Sequence, residues 1–146
     1  MGLSKALGLT LFCSGYKICK LVNGRIESAF NQGVTKEIPK DVWVDEADYR
    51  RSDTPEKIPF LNEAFKTYDY PVGWHVYTNR EEALWALDHL GRSFNDLILA
   101  PVSLDRCVAY GEQSYRPNLA GEKRVFLKVV VCKEIKILHG IGSIVL

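Results

Sequence analysis

The chain has 146 residues, 47% of them apolar and 25% charged, with a formal net charge of +1. That length makes one globular domain, able to bury roughly 70% of its unfolded surface without disulfides or metal. The near-zero charge carries no footprint of a general nucleic-acid binder, and no apolar run reaches the roughly 18 residues of a membrane span.

The N-terminal stretch MGLSKALGLTLFCS, residues 1–14, sets one lysine ahead of an apolar run, as a secretory signal does. The run is short, and Phe12 before Cys13 is too bulky for a cleavage site. Ala6 stands where a myristoylation signal carries Ser or Thr. A first strand or a short packed lead-in is expected. In YKICKLVNGRIESAF two β-prone runs flank Asn23-Gly24. Both central residues of a type I′ turn need positive φ, which Asn-Gly supplies, so a hairpin with strands near 15–22 and 25–30 is predicted.

From Asn31 to Tyr70 the pattern dissolves into charges and three prolines. An irregular crossing over about 31–70 is expected, pinned by Trp43, Phe60, Leu61 and Phe65, with a short strand at Val42–Val44 and a helical turn in PFLNEAFKTY. Next, GWHVYT alternates as a strand does. Thr78 precedes Glu81 by three residues, the spacing of a capping box. Ala83, Leu84, Leu87 and Leu90 then fall at helical spacing up to Gly91, a natural stop. DLILAPVS and RCVAYG read as strands, with Pro101 implying an edge or bulge, and EQSYRPNLAGEK reads as a polar loop. In RVFLKVVVCKEIKIL the odd positions 125, 127, 129, 131, 135 and 137 are apolar, and Lys133 marks a bend, bulge or edge. The fold class is α+β: a twisted, mostly antiparallel sheet with one principal helix packed against it.

Cys13, Cys19, Cys107 and Cys132 form no Cys-x-x-Cys pair, and His75, His89 and His139 are scattered. No metal site is expected. Four thiols in apolar stretches read as reduced and inert, which suits the cytoplasm. No Walker loop, dinucleotide fingerprint or nucleophile elbow is present, so no cofactor is implied by motif. His75 and Tyr77 share one face of their strand, where two polar-tipped rings either line a pocket or pack with wet tips. Trp43, Tyr49, Arg50 and Arg51 are residue types that anchor protein interfaces.

Two resemblances bear on these residues. KLVNGRIESAF, GWHVYTNREEAL and the last strands are similar to a group of small phage and mobile-element proteins that carries no established activity. It implies a non-catalytic accessory protein in the host-cell cytoplasm. Such a protein binds a host or phage protein through Trp43, Tyr49, Arg50 and Arg51, for instance as an inhibitor of a host enzyme or defence system. A virion or assembly role, and an oligomer, stay open. GWHVYTNREEALWAL followed by LILAPVSLDRCVAYG resembles part of the ADP-ribosyltransferase fold. That resemblance implies NAD as cofactor, Tyr77 stacking on nicotinamide, Glu122 orienting the ribose and His75 nearby. The opening strand LFCSGY departs from that family, since it has neither His nor Arg.

Overall fold

The structure is a computed structural model that describes residues 3–5, 12–28, 36–50, 57–61, 67–90, 96–115 and 125–138. It is a mostly antiparallel sheet with one α-helix among the described residues, an α+β arrangement. The strands are β1 (Leu3–Lys5), β2 (Ser14–Val22), β3 (Arg25–Ser28), β4 (Trp43–Asp45), β5 (Lys57–Leu61), β6 (Thr67–Pro71), β7 (Trp74–Tyr77), β8 (Leu97–Tyr115) and β9 (Val125–Ile137). The helix α1 spans Arg80–Leu90, and Glu46–Asp48 form one 3-10 turn.

Local chemistry builds the first hairpin. Asn23 and Gly24 have φ of 50° and 79°, and Val22 faces Arg25 across a two-residue turn. Positive φ at both central residues twists the turn the same way as its strands.

Long-range pairing builds the rest. β8 pairs with β2 through its first half and with β9 from Val102 onward. β9 pairs with β7, and β7 returns to β2 through Tyr16 and Tyr77. The pairing closes a ring, which gives the sheet an inner and an outer face. Gly15 makes the closure possible. A Cβ there would lie 2.5 Å from Val76 Cγ1 and 2.6 Å from the Tyr77 carbonyl oxygen.

Strand alternation distributes two apolar clusters. The inner one holds Cys19, Trp74, Val76, Ala100, Val102, Val130, Cys132, Ile135 and Ile137. The other joins Ala83 and Ala86 of α1 to Ile18, Tyr77, Leu99, Val129 and Val131. The odd positions of β9 therefore serve two cores. Val129 and Val131 belong with α1, while Ile135 and Ile137 belong with the inner cluster. The change of face falls at Lys133, beside a register shift in β8 between Cys107 and Ala109.

Four sequence expectations are revised. β8 runs 19 residues without a break and continues through Tyr115, where a polar loop was expected from Glu112. Pro101 is tolerated because the β8–β9 ladder starts one residue later, at Val102; its carbonyl still accepts from Leu138 N at 2.9 Å. Part of the irregular crossing expected over about 31–70 is strand: β5 and β6 pair antiparallel from Lys57↔Pro71 to Leu61↔Thr67, as their Ile, Phe, Thr and Tyr favour. Residues 62–66, the centre of the helical turn expected in PFLNEAFKTY, lie outside the described residues. Finally, Asn79 caps α1 in place of Thr78. Its Oδ1 accepts from Glu82 N at 3.1 Å, while Thr78 N is committed to Lys128 O in the sheet. Glu82 reaches across to accept from Lys128 N at 2.6 Å, which ties the helix start to β9.

Candidate docking edge and the buried lysine beneath it

Among the described residues β4 ends the strand order of the sheet. Asp41, with φ of 61°, turns the chain into it, and Asp41 N donates to Ile137 O at 2.8 Å. Alternation then decides what each side chain meets. Trp43 points outward and is 46% exposed, as is Val42 beside it. Lys136, directly across the ladder, sets its Nζ 5.3 Å from the Trp43 ring centroid. Val44 points inward, and its carbonyl accepts from Trp74 Nε1 at 3.3 Å.

Arg106 holds the edge from the β8 side. Its Nη2 donates to Asp45 Oδ2 at 2.6 Å and lies 2.9 Å from Glu134 Oε1. The Ala47 amide, and after it Arg106, keep the Asp45 carboxyl below the usual range. Trp43 is thus presented on a backbone fixed at both ends.

The 3-10 turn then carries the chain inward. Glu46 and Tyr49 are buried at 7% and 6% exposure. The Tyr49 ring lies 5.2 Å from that of Trp74, and its hydroxyl donates to Glu37 O at 2.9 Å. Burial raises its phenol pKa. Of the four expected anchors, Trp43 is the exposed aromatic, whereas Tyr49 is an interior side chain. Arg50 is half-buried, with Nε 3.7 Å from Glu46 Oε2, and Arg51 lies outside the described residues.

Beneath this turn sits a lysine that sequence reasoning missed. Lys17 is 6% exposed. Its Nζ lies 5.0 Å from the Trp74 ring centroid and 3.5 Å from His75 O. Burial holds its pKa below the ordinary lysine value. Burial also raises the Glu46 carboxyl, against the pull of Arg50, Lys133 and Lys17. Glu46 Oε2 and Arg50 Nη1 are buried and make no hydrogen bond among the described residues. The available signal was phase: Lys17 shares its strand face with Cys19, a core residue, and not with its neighbour Ile18.

His75 and Tyr77 lie on the opposite face of β7 from Trp74 and Val76. Tyr77 is 7% exposed, stands across from Tyr16 and packs in the α1-side cluster. A nicotinamide would need that ring uncovered in order to stack on it. Desolvation, and then Lys17, lower the His75 pKa to about 4, so the imidazole is neutral at neutral pH. The structure brings Tyr77 together with the CSGY segment, while Glu122, the third member of the NAD reading, lies outside the described residues.

Among the described residues no group of three or more His, Cys, Asp or Glu could hold a metal ion, and no helix is long and apolar enough to cross a membrane. No protein-family model matches the chain, and neither a curated protein nor a solved structure shows significant similarity to it.

Proposed function

We propose that this chain is a non-catalytic accessory protein of phage type that docks onto a host or phage protein through the β4 edge. The observation that carries the reading is Trp43, 46% exposed on the strand that ends the sheet order among the described residues, with an equally exposed Val42 just before that strand. Large exposed apolar side chains held together mark interaction surfaces, and tryptophan is enriched among residues that dominate binding energy. The Arg106 contacts and the Trp74–Val44 hydrogen bond hold the strand before a partner arrives. Little ordering entropy then remains to be lost on binding. The outer side of β4 suits an extended partner segment that adds as a further strand. Such docking would inhibit a host enzyme or defence protein by covering its surface.

The test is photo-crosslinking from an unnatural residue at position 42, in cells that produce the protein, with and without Trp43→Ala. One crosslinked partner that disappears with Trp43→Ala, while circular dichroism and unfolding midpoint stay unchanged, supports the reading. A partner retained at equal yield by Trp43→Ala sinks it.

A further inference from the structure

The β8–β9 register places Cys107 directly opposite Cys132. Cys132 is fully buried in the inner cluster, and the half-buried Cys107 packs against that same cluster. The two thiols therefore share one face of the sheet. Directly facing residues in an antiparallel pair have Cα atoms about 4.5–5.5 Å apart. Disulfides span Cα separations of about 4.4–6.8 Å. The register shift between Cys107 and Ala109 adds backbone slack at this point of the ladder.

We infer that Cys107 and Cys132 are an oxidisable dithiol, a site at which a small-molecule disulfide such as oxidised glutathione installs a cross-strand disulfide between β8 and β9. The order of events follows from exposure. Cys107 is the reachable sulfur, and its Sγ now donates to Phe12 O at 3.7 Å. After losing its proton to solvent, it attacks one sulfur of the reagent. A Cys107–glutathione disulfide forms, and glutathione thiolate leaves and takes up a proton. Rotation about χ1 then turns the mixed disulfide toward β9. The Cys132 thiolate attacks the Cys107 sulfur, the sulfur–sulfur bond to glutathione breaks, and a second glutathione leaves. The protein loses two electrons and two protons, and one oxidised glutathione becomes two reduced molecules.

Burial raises the thiol pKa of both residues, and Asp105 adds to this at each. Lys17 opposes it at Cys132. The second step is therefore the slow one, and the mixed disulfide accumulates first. Cys19 is excluded as the partner of Cys107 by its ladder position opposite Ile98, near the other end of β8. Cys13 is exposed and would take a glutathione adduct of its own.

The test uses the full chain, wild type beside Cys13→Ser, incubated with oxidised glutathione at mildly alkaline pH. Each sample is alkylated, digested without reduction and mapped by mass spectrometry. The expected product is a peptide pair joined through Cys107 and Cys132, preceded in time by a Cys107 adduct and reversed by dithiothreitol. In Cys132→Ser the adduct should persist instead of being consumed. Three results would overturn the inference: a stable Cys107 adduct on the wild type with no cross-link, linkage of Cys107 to Cys13 or Cys19, or cross-linking only in denaturant. The wild-type map stands alone, so poor folding of the Cys132 variant would not obscure the outcome.

Discussion

Replacing His75 by Gln should remove a pH dependence of stability that the wild-type fold carries between pH 6.5 and about pH 4. In the unfolded chain His75 takes up a proton near pH 6.5, while in the fold it does so only near pH 4. Between those values the unfolded state binds more protons, so stability falls as pH falls. Above that window the contribution is complete, and below it the contribution is gone. At about 1.4 kcal/mol per pH unit, the gap is worth about 3 kcal/mol at most. His75 is half-buried and keeps some solvent contact, so about 2 kcal/mol is the expected size. Gln keeps an amide donor for the hydrogen bond with the Gly73 backbone and cannot ionise. Urea unfolding of both proteins between about pH 7 and pH 4 reads the effect directly. Every other ionisable group is common to both proteins and cancels in the difference. Stability curves that stay parallel across the window would refute the reasoning and show that His75 accepts a proton in the fold as readily as in water.

Gly15→Ala should lose about 2 kcal/mol or more, because the new Cβ meets the Tyr77 carbonyl at 2.6 Å and backbone cannot step aside; an unfolding midpoint near wild type would show that β2 and β7 can separate. Lys17→Met should raise stability at neutral pH by about 1 kcal/mol, since it removes a buried ammonium of similar volume. The lowered lysine pKa also makes wild-type stability rise with pH between the folded value and 10.5, and unfolding curves of Lys17→Met should lack that rise. Arg106 has φ of 54°, a conformation that favours glycine. Arg106→Gly should therefore be more stable than Arg106→Ala by about 1 kcal/mol in denaturant titration, although both lose the contacts to Asp45 and Glu134.

Where structure was decided by neighbours in the chain, it was legible in advance. Asn23-Gly24 needs nothing beyond its own φ preferences to make a two-residue turn, and the hairpin stands where the pattern put it. The helix was equally readable, but its cap was not. Thr78 has the better box spacing, yet its amide belongs to the sheet, and only β9 reveals that. Tyr49 and Trp43 show the same limit. Both are aromatics in a charged stretch, and one turn of 3-10 helix sends one inside and leaves the other on the surface.

The sequence alone determined the β-rich character, the first hairpin and the apolar positions of the last strand. These follow from local dihedral preference and from alternation, which a linear pattern carries. Tertiary structure alone decided that the sheet closes through Gly15 and that β9 changes faces at Lys133. It also decided that Lys17 lies buried beneath Trp74 and that Cys107 faces Cys132. Each of these depends on which distant strand lies alongside, and that partner is chosen by the burial of the whole chain and not by any segment of it.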